Sequence, residues 1–180
     1  SFTFISLTYN QQEYIVEHLE SIKQLIEHYG NGRKIDFILA DDCSKDQTLE
    51  VVKEWIKTKK ELFNRVLLLE RSQNIGVVRN MLDAVKHVKT SEFKLLAGDD
   101  RFRCEDIFSV YDNIDDALII TPVQPFGNVN QKIIENMKKN FYLIRSLKTA
   151  PKLSKMIKYE NFLPAPGTFI PGNWFRDDAF

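Results

Sequence analysis

Short apolar runs alternate along this chain with segments whose apolar residues return every three or four positions. Phe2 to Leu7 is the first run, rich in strand formers, and it stops at the polar cluster Thr8-Tyr9-Asn10, as a buried strand entering a loop does. Ile15, Leu19, Ile22, Ile26 and Tyr29 then repeat at helical spacing until Gly30-Asn31-Gly32. Asn10 with Glu13 reads as the capping box of that helix. Ile35 to Ala40 predicts a second strand, closed by Asp41-Asp42. Ser44 with Gln47 then reads as a capping box before the helical repeat of Leu49, Val52 and Ile56.

Val66 to Leu69 predicts a third strand and Asn74-Ile75-Gly76 a turn, followed by Val78, Met81, Leu82, Val85 and Val88 on one helical face. Phe93 to Ala97 predicts a fourth strand that runs into Gly98-Asp99-Asp100. Ile107, Val110, Tyr111 and Ile114 predict a helix, and Leu118 to Thr121 a fifth strand. Short buried strands alternating with amphipathic helices imply an α/β fold, a mostly parallel central sheet with helices on both faces. Ligands of such sheets lie outside the carboxyl ends of the strands, so Thr8-Tyr9-Asn10, Asp41-Asp42 and Asp99-Asp100 are expected to meet in one crevice. Beyond about residue 122 the alternation decays. Ile134, Met137, Phe141 and Ile144 still fit a helix, and 151–180, punctuated by Pro151, Pro164, Pro166, Gly167, Pro171 and Gly172, reads as loop-rich.

Composition narrows the function classes. With 180 residues and 43% hydrophobic content, one good core is the expectation. The 25 basic and 25 acidic residues cancel, so no global field argues for a nucleic-acid partner, and none is expected. Cys43 and Cys104, far apart and beside acidic residues, make no disulfide framework and suit a reducing compartment, so the expected location is cytoplasmic. No apolar run is long enough to span a bilayer. Gln131 to Glu160 carries eight Lys or Arg against two Glu, a composition compatible with a solvated helix or with peripheral association at the inner face of a membrane.

Two adjacent carboxylates at a strand end repel each other, and a divalent cation compensates them well. Mg²⁺ or Mn²⁺ binds one or two carboxylates and takes its other oxygen ligands from phosphate and water, so Asp99-Asp100 reads as a metal-diphosphate site. A solvated turn or helix cap before residue 105 is the competing reading of that pair. At Asp41-Asp42 a carboxylate could accept a hydrogen bond from a base N–H, or could instead build an Asx-turn with Cys43 and Ser44. Tyr9 could stack on a base or pack as a half-buried aromatic.

The order of these segments is more specific than any one of them. Ile5-Ser-Leu-Thr-Tyr-Asn10, Ile38-Leu-Ala-Asp-Asp-Cys-Ser-Lys-Asp46, Asn74-Ile-Gly-Val-Val-Arg-Asn80 and Leu95-Leu-Ala-Gly-Asp-Asp100 together resemble the inverting glycosyltransferases of family 2, of the bacterial cell-surface polysaccharide type, which have the GT-A fold. The resemblance covers roughly residues 2 to 122. It implies a GT-A nucleotide-sugar-binding core over 1–122 and an acceptor-side, helical and loop-rich extension over 123–180, incomplete at its C-terminus. It also implies that Leu7, Thr8 and Tyr9 border the base, and that Asp42, ahead of Asp41, accepts from it. Asn74, Ile75, Gly76, Arg79 and Asn80 would border the donor, with Arg79 meeting a phosphate or making a structural salt bridge. Asp99 would lie near the ribose and diphosphate, and Asp100 with Asp99 would hold Mn²⁺ or Mg²⁺. The implied partners are a nucleotide-sugar donor, a UDP-sugar first, and a saccharide or lipid-linked saccharide acceptor.

The chain departs from the family pattern in carrying Gly-Asp-Asp where Asp-x-Asp is usual. The catalytic base, an Asp or Glu in the family, has no matching segment before Phe180 and is expected beyond it. Asp177 and Asp178 are the late carboxylate pair and come early for that role. Two other functions stand beside sugar transfer. A sugar nucleotidyltransferase shares the α/β plan, but a Gly-rich basic phosphate loop is missing after the first strand. A nucleotide-sugar-binding domain without transfer activity would lack a carboxylate facing the anomeric carbon.

Overall fold

The computed structural model describes residues 1–113 and the backbone of the short strands at 119–120 and 168–169. Four parallel strands, β1 (Phe2–Thr8), β2 (Ile35–Asp41), β3 (Arg65–Glu70) and β4 (Glu92–Ala97), form one sheet in the order β3-β2-β1-β4. The helices are α1 (Ile15–Tyr29), α2 (Thr48–Lys59), α3 (Val77–Val85) and α4 (Ile107–Asp112). A second compact unit of the chain holds β5 (Ile119–Ile120) and β6 (Thr168–Phe169), which pair antiparallel. β5 lies within the strand expected at 118–121, whereas β6 falls in a stretch expected to be loop. The helix expected around Ile134 to Ile144, the basic segment and Asp177-Asp178 lie outside the described residues.

Every residue of β1 and β2 is buried, because helices cover both faces of the sheet. On one face Ile5, Leu7, Ile38, Ala40 and Phe93 pack with Ala84, Met81 and Val85 of α3. On the other, Phe2 and Phe4 meet Phe108 of α4, and Phe37 stacks on Phe63 with ring centroids 5.1 Å apart. Ile15, Leu19, Ile22 and Leu25, one stripe of α1, are fully buried. The α/β architecture with helices on both faces agrees with the periodicity.

Three local expectations are corrected. Asn10 does not cap α1, which begins at Ile15 with no side-chain cap; Asn10 adopts φ 52° and its Oδ1 accepts from the backbone N–H of Lys45 at 2.7 Å. Ser44 does not cap α2 either, because Asp41 takes both its N–H and its hydroxyl, and Asp46 accepts from the N–H of Thr48 at 3.0 Å instead. Both capping-box residues serve contacts more than 30 residues away or in the preceding turn, which local spacing cannot reveal. Val78 and Leu82 are exposed, so the buried face of α3 runs through Asn80, Met81, Ala84 and Val85. A polar residue, Asn80, joins the buried face, from which Val78 and Leu82 turn away.

Candidate functional site

The chain moves from β1 to β2 to β3 and then returns to add β4 on the far side of β1, so the sheet's topological switch point lies between β1 and β4. Crossovers leave on opposite faces there, which opens a crevice at the strands' carboxyl ends. A cleft of about 300 Å³ occupies that edge, lined by Leu7, Thr8, Tyr9, Gln11, Asp42, Asn74, Gly76, Val77, Asn80 and Ala97. Seven residues expected from the sequence to border a donor, Leu7, Thr8, Tyr9, Asp42, Asn74, Gly76 and Asn80, thus meet in one place.

Each is set there by the loops. Asp42 is buried, its N–H donates to the Thr8 carbonyl at 2.9 Å, and its carboxylate accepts the N–H groups of Ile75 at 2.7 Å and Gly76 at 2.9 Å. Gly76 sits at φ 86°, a conformation that a side chain would strain, and α3 starts from it. Asn80 ties α3 back to β2, donating to the Ala40 carbonyl at 2.8 Å, and accepts from Arg71, which is paired with Asp83 at 2.6 Å. Tyr9 is 46% exposed, so its ring presents a free face beside the cleft.

Asp41 is not among the lining residues. Its carboxylate accepts from Thr8 Oγ1 at 2.9 Å and from both the N–H and the hydroxyl of Ser44, the Asx-turn alternative. Arg79, Asp99 and Asp100 also lie outside the lining set, with Arg79 exposed on α3. Asp99 and Asp100 follow β4 directly, and Asp99 is exposed while Asp100 is half-buried. The helix-cap reading of this pair does not hold, since Asp106 caps α4 by accepting from the N–H groups of Phe108 and Ser109.

Sequence reasoning missed Gln11, Val77 and Ala97 in the cleft. Gln11 carries the clearest signal, because its Oε1 is buried and has no hydrogen-bond partner among the described residues. The same side chain explains the glycine of Gly98-Asp99-Asp100: a Cβ on Gly98 would lie 2.6 Å from Gln11 Oε1, 2.8 Å from Thr8 Cγ2 and 2.9 Å from Ile15 Cδ1.

Behind the Asp99-Asp100 turn the surroundings are buried and polar at once, with Ser6, His18, Ser21 and Lys94. Burial, reinforced by the charge of Asp99, pushes Asp100 up to about 6, while Lys94 pulls the other way. Burial lowers Lys94 to about 7, opposed by the charge of Asp100. Burial holds His18 at about 4, so this imidazole is neutral at physiological pH. Water reaches the exposed Asp99 better than the half-buried Asp100, and a positive charge in front of the pair would relieve their repulsion.

Known proteins bear on this arrangement. The uncharacterized protein Rv1520 of Mycobacterium tuberculosis is 32% identical over 98 residues, which span 54% of this chain and 26% of that protein, so the chain covers about a quarter of its relative's length. S. aureus TarS 1-349 in complex with UDP-GlcNAc superposes with a TM-score of 0.56 at 23% identity, over 72% of this chain and 37% of that one. The mannosyltransferase PcManGT from Pyrobaculum calidifontis, in complex with GDP-Man and Mn²⁺, superposes with a TM-score of 0.58 at 20% identity, over 69% of this chain and 35% of that one. At these identities the superpositions establish the fold, the GT-A plan. The family is decided by sequence: the pattern of Glycosyl transferase family 2 runs through residues 3–178, and the chain belongs to that family.

Proposed function

We propose that this chain is the donor-binding part of a glycosyltransferase that moves a sugar from a nucleoside diphosphate, a UDP-sugar first, onto an acceptor hydroxyl with inversion. The observation that carries the reading is the meeting of Leu7, Thr8, Tyr9, Asp42, Asn74 and Gly76 in one cleft at the switch point of a family 2 fold. The base would lie against Tyr9, with the unused lone pairs of Asp42 accepting its N–H. Gln11 Oε1 offers a second acceptor to a nucleotide hydroxyl or amine. Asp41 holds the loop that presents Asp42.

Asp99 and Asp100 suit Mn²⁺ or Mg²⁺, since two carboxylates leave most positions of a hard cation to diphosphate oxygens and water. Among the described residues no group of three or more His, Cys, Asp or Glu could hold a metal unaided, which fits a cation shared with the donor. When bound, it would supply charge stabilisation to the departing diphosphate. The chain's own residues would orient the donor, and they bury the inner side of the Asp99-Asp100 turn. General-base assistance to the acceptor hydroxyl would come from outside the described residues, where Asp177 and Asp178 lie, or from beyond Phe180.

A role in cell-surface polysaccharide synthesis, with a saccharide or lipid-linked acceptor presented at the cytoplasmic face of the membrane, accords with the family and with the basic composition of 131–160. The test is calorimetry with a panel of nucleoside diphosphates and nucleotide sugars, with Mn²⁺ and with EDTA. Micromolar binding of a uridine nucleotide that Mn²⁺ tightens is the expected result; no nucleotide binding in either condition would refute the reading.

A further inference from the structure

The residues behind the Asp99-Asp100 turn form a chain of contacts that the sequence did not foreshadow. Ser6 of β1 is buried and its Oγ lies 2.6 Å from His18 Nε2 of α1. The other ring nitrogen, Nδ1, lies 2.7 Å from the backbone carbonyl oxygen of Asp100. A carbonyl oxygen can only accept, so Nδ1 carries the proton. In the neutral ring Nε2 is then the acceptor, and the Ser6 hydroxyl donates to it. The tautomer and the ring plane are therefore both set by two partners, one within β1 and one in the turn after β4.

One turn further along α1, Ser21 Oγ donates to the His18 carbonyl at 2.6 Å and accepts the Phe102 N–H at 3.1 Å. The 99–102 segment is thus held at two points by one face of one helix. Asp100 itself is pinned on both sides of its Cα: its N–H donates to the Ala97 carbonyl at 3.0 Å and its carbonyl accepts from His18. With both flanking peptide planes fixed, the carboxylate retains only its side-chain rotations, and its direction is set before any ligand arrives.

We infer that His18 is a positioning residue for cation binding, orienting the Asp100 carboxylate of the Asp99-Asp100 pair through the backbone of Asp100, with Ser6 locking its ring. The inference rests on the reading of Asp99-Asp100 as the cation site. Outer partners of this kind change metal affinity by about 10- to 100-fold when removed. His18 itself would touch neither cation nor donor.

The experiment measures Mn²⁺ affinity of the full chain in the presence of UDP, by electron paramagnetic resonance of free Mn²⁺, alongside calorimetric affinity for uridine. His18→Leu keeps bulk and removes both bonds; it should weaken Mn²⁺ binding about tenfold or more and leave uridine affinity unchanged. His18→Asn places an amide N–H near the former Nδ1 position and should restore most of the loss. An unchanged Mn²⁺ affinity in His18→Leu, a parallel fall in uridine affinity, or no recovery in His18→Asn would each overturn the inference. Should His18→Leu not fold, Ser6→Ala carries the test with a severalfold loss expected, and an unchanged value overturns it. Absence of Mn²⁺ binding in the parent would remove the cation reading itself, and the inference with it, before any substitution is compared.

Discussion

Asp42, at the end of β2, holds the N–H of Gly76 at 2.9 Å, 34 residues further along the chain, and so ties the start of α3 to the edge of the sheet. The same carboxylate lines the cleft. One side chain thereby has a structural duty and an open face towards a ligand.

Asp42→Ala should lower stability by about 2 kcal/mol, because it removes the acceptor of the Ile75 N–H and leaves the Gly76 N–H only Asn74 Oδ1. It should also weaken uridine binding. Urea denaturation and uridine calorimetry on the same preparations separate the two effects. A destabilised protein with full uridine affinity would reduce Asp42 to a clamp.

Asp100→Asn and Asp99→Asn should abolish most of the gain in UDP affinity that Mn²⁺ gives over EDTA, while free uridine binds as before. The diphosphate alone would be repelled by two carboxylates, so the cation's contribution disappears when one charge is lost. If Mn²⁺ tightens UDP binding equally in both variants and the parent, the carboxylates do not hold the cation.

Gly98→Ala should cost about 1 to 3 kcal/mol, since its Cβ would press on Thr8 and Ile15, which are well packed, as well as on Gln11. Repacking would move Gln11 and Thr8, and nucleotide affinity should fall with stability. Denaturation midpoints check the first part; a neutral substitution would show that the 97–100 turn is free to shift.

Gln11→Leu should leave the unliganded protein as stable as the parent or more so, because it removes a buried oxygen without a partner among the described residues, a group worth about 1 to 3 kcal/mol of penalty. It should nevertheless weaken nucleotide binding. Thermal denaturation with and without UDP reads both signs at once, and a variant with lower stability but parental UDP affinity would contradict the assignment of Gln11 to the donor.

Acid should destabilise the fold through His18. Its ordinary value is 6.5 and burial holds it at about 4 in the folded chain, so between those values the unfolded chain takes up a proton that the folded one refuses. Stability from this group is complete above about pH 6.5 and falls as pH drops towards 4, by about 3 kcal/mol in all. Asp100, raised to about 6, works in the opposite sense, since it binds its proton more readily when folded. Comparing the parent with His18→Asn cancels that term, and the stability difference between them should shrink from pH 7 to pH 4. Parallel curves would mean that His18 charges without cost.

The alternation of β-forming runs with 3.6-residue repeats determined the four parallel strands, the helices between them and the placing of polar clusters at the strands' carboxyl ends, because those features follow from local period and from the handedness of crossovers. The sequence also named most of the cleft, since strand ends are predictable from where apolar runs stop. Only the tertiary structure decided how those residues are used. Asn10 and Ser44 look like helix caps at short range, yet Asn10 answers Lys45 and Ser44 answers Asp41. Asp41 and Asp42 are neighbours in sequence, but Asp41 ends β2 and closes an Asx-turn, while Asp42, just past the strand, reaches Gly76. Neither Gln11 nor His18 stands out in the sequence, and the orphaned oxygen of Gln11 shows only in the fold. A glutamine in a loop and a histidine on a helical stripe acquire meaning only from the groups, Gly98 and the Asp100 carbonyl, that the fold brings against them from more than 80 residues away.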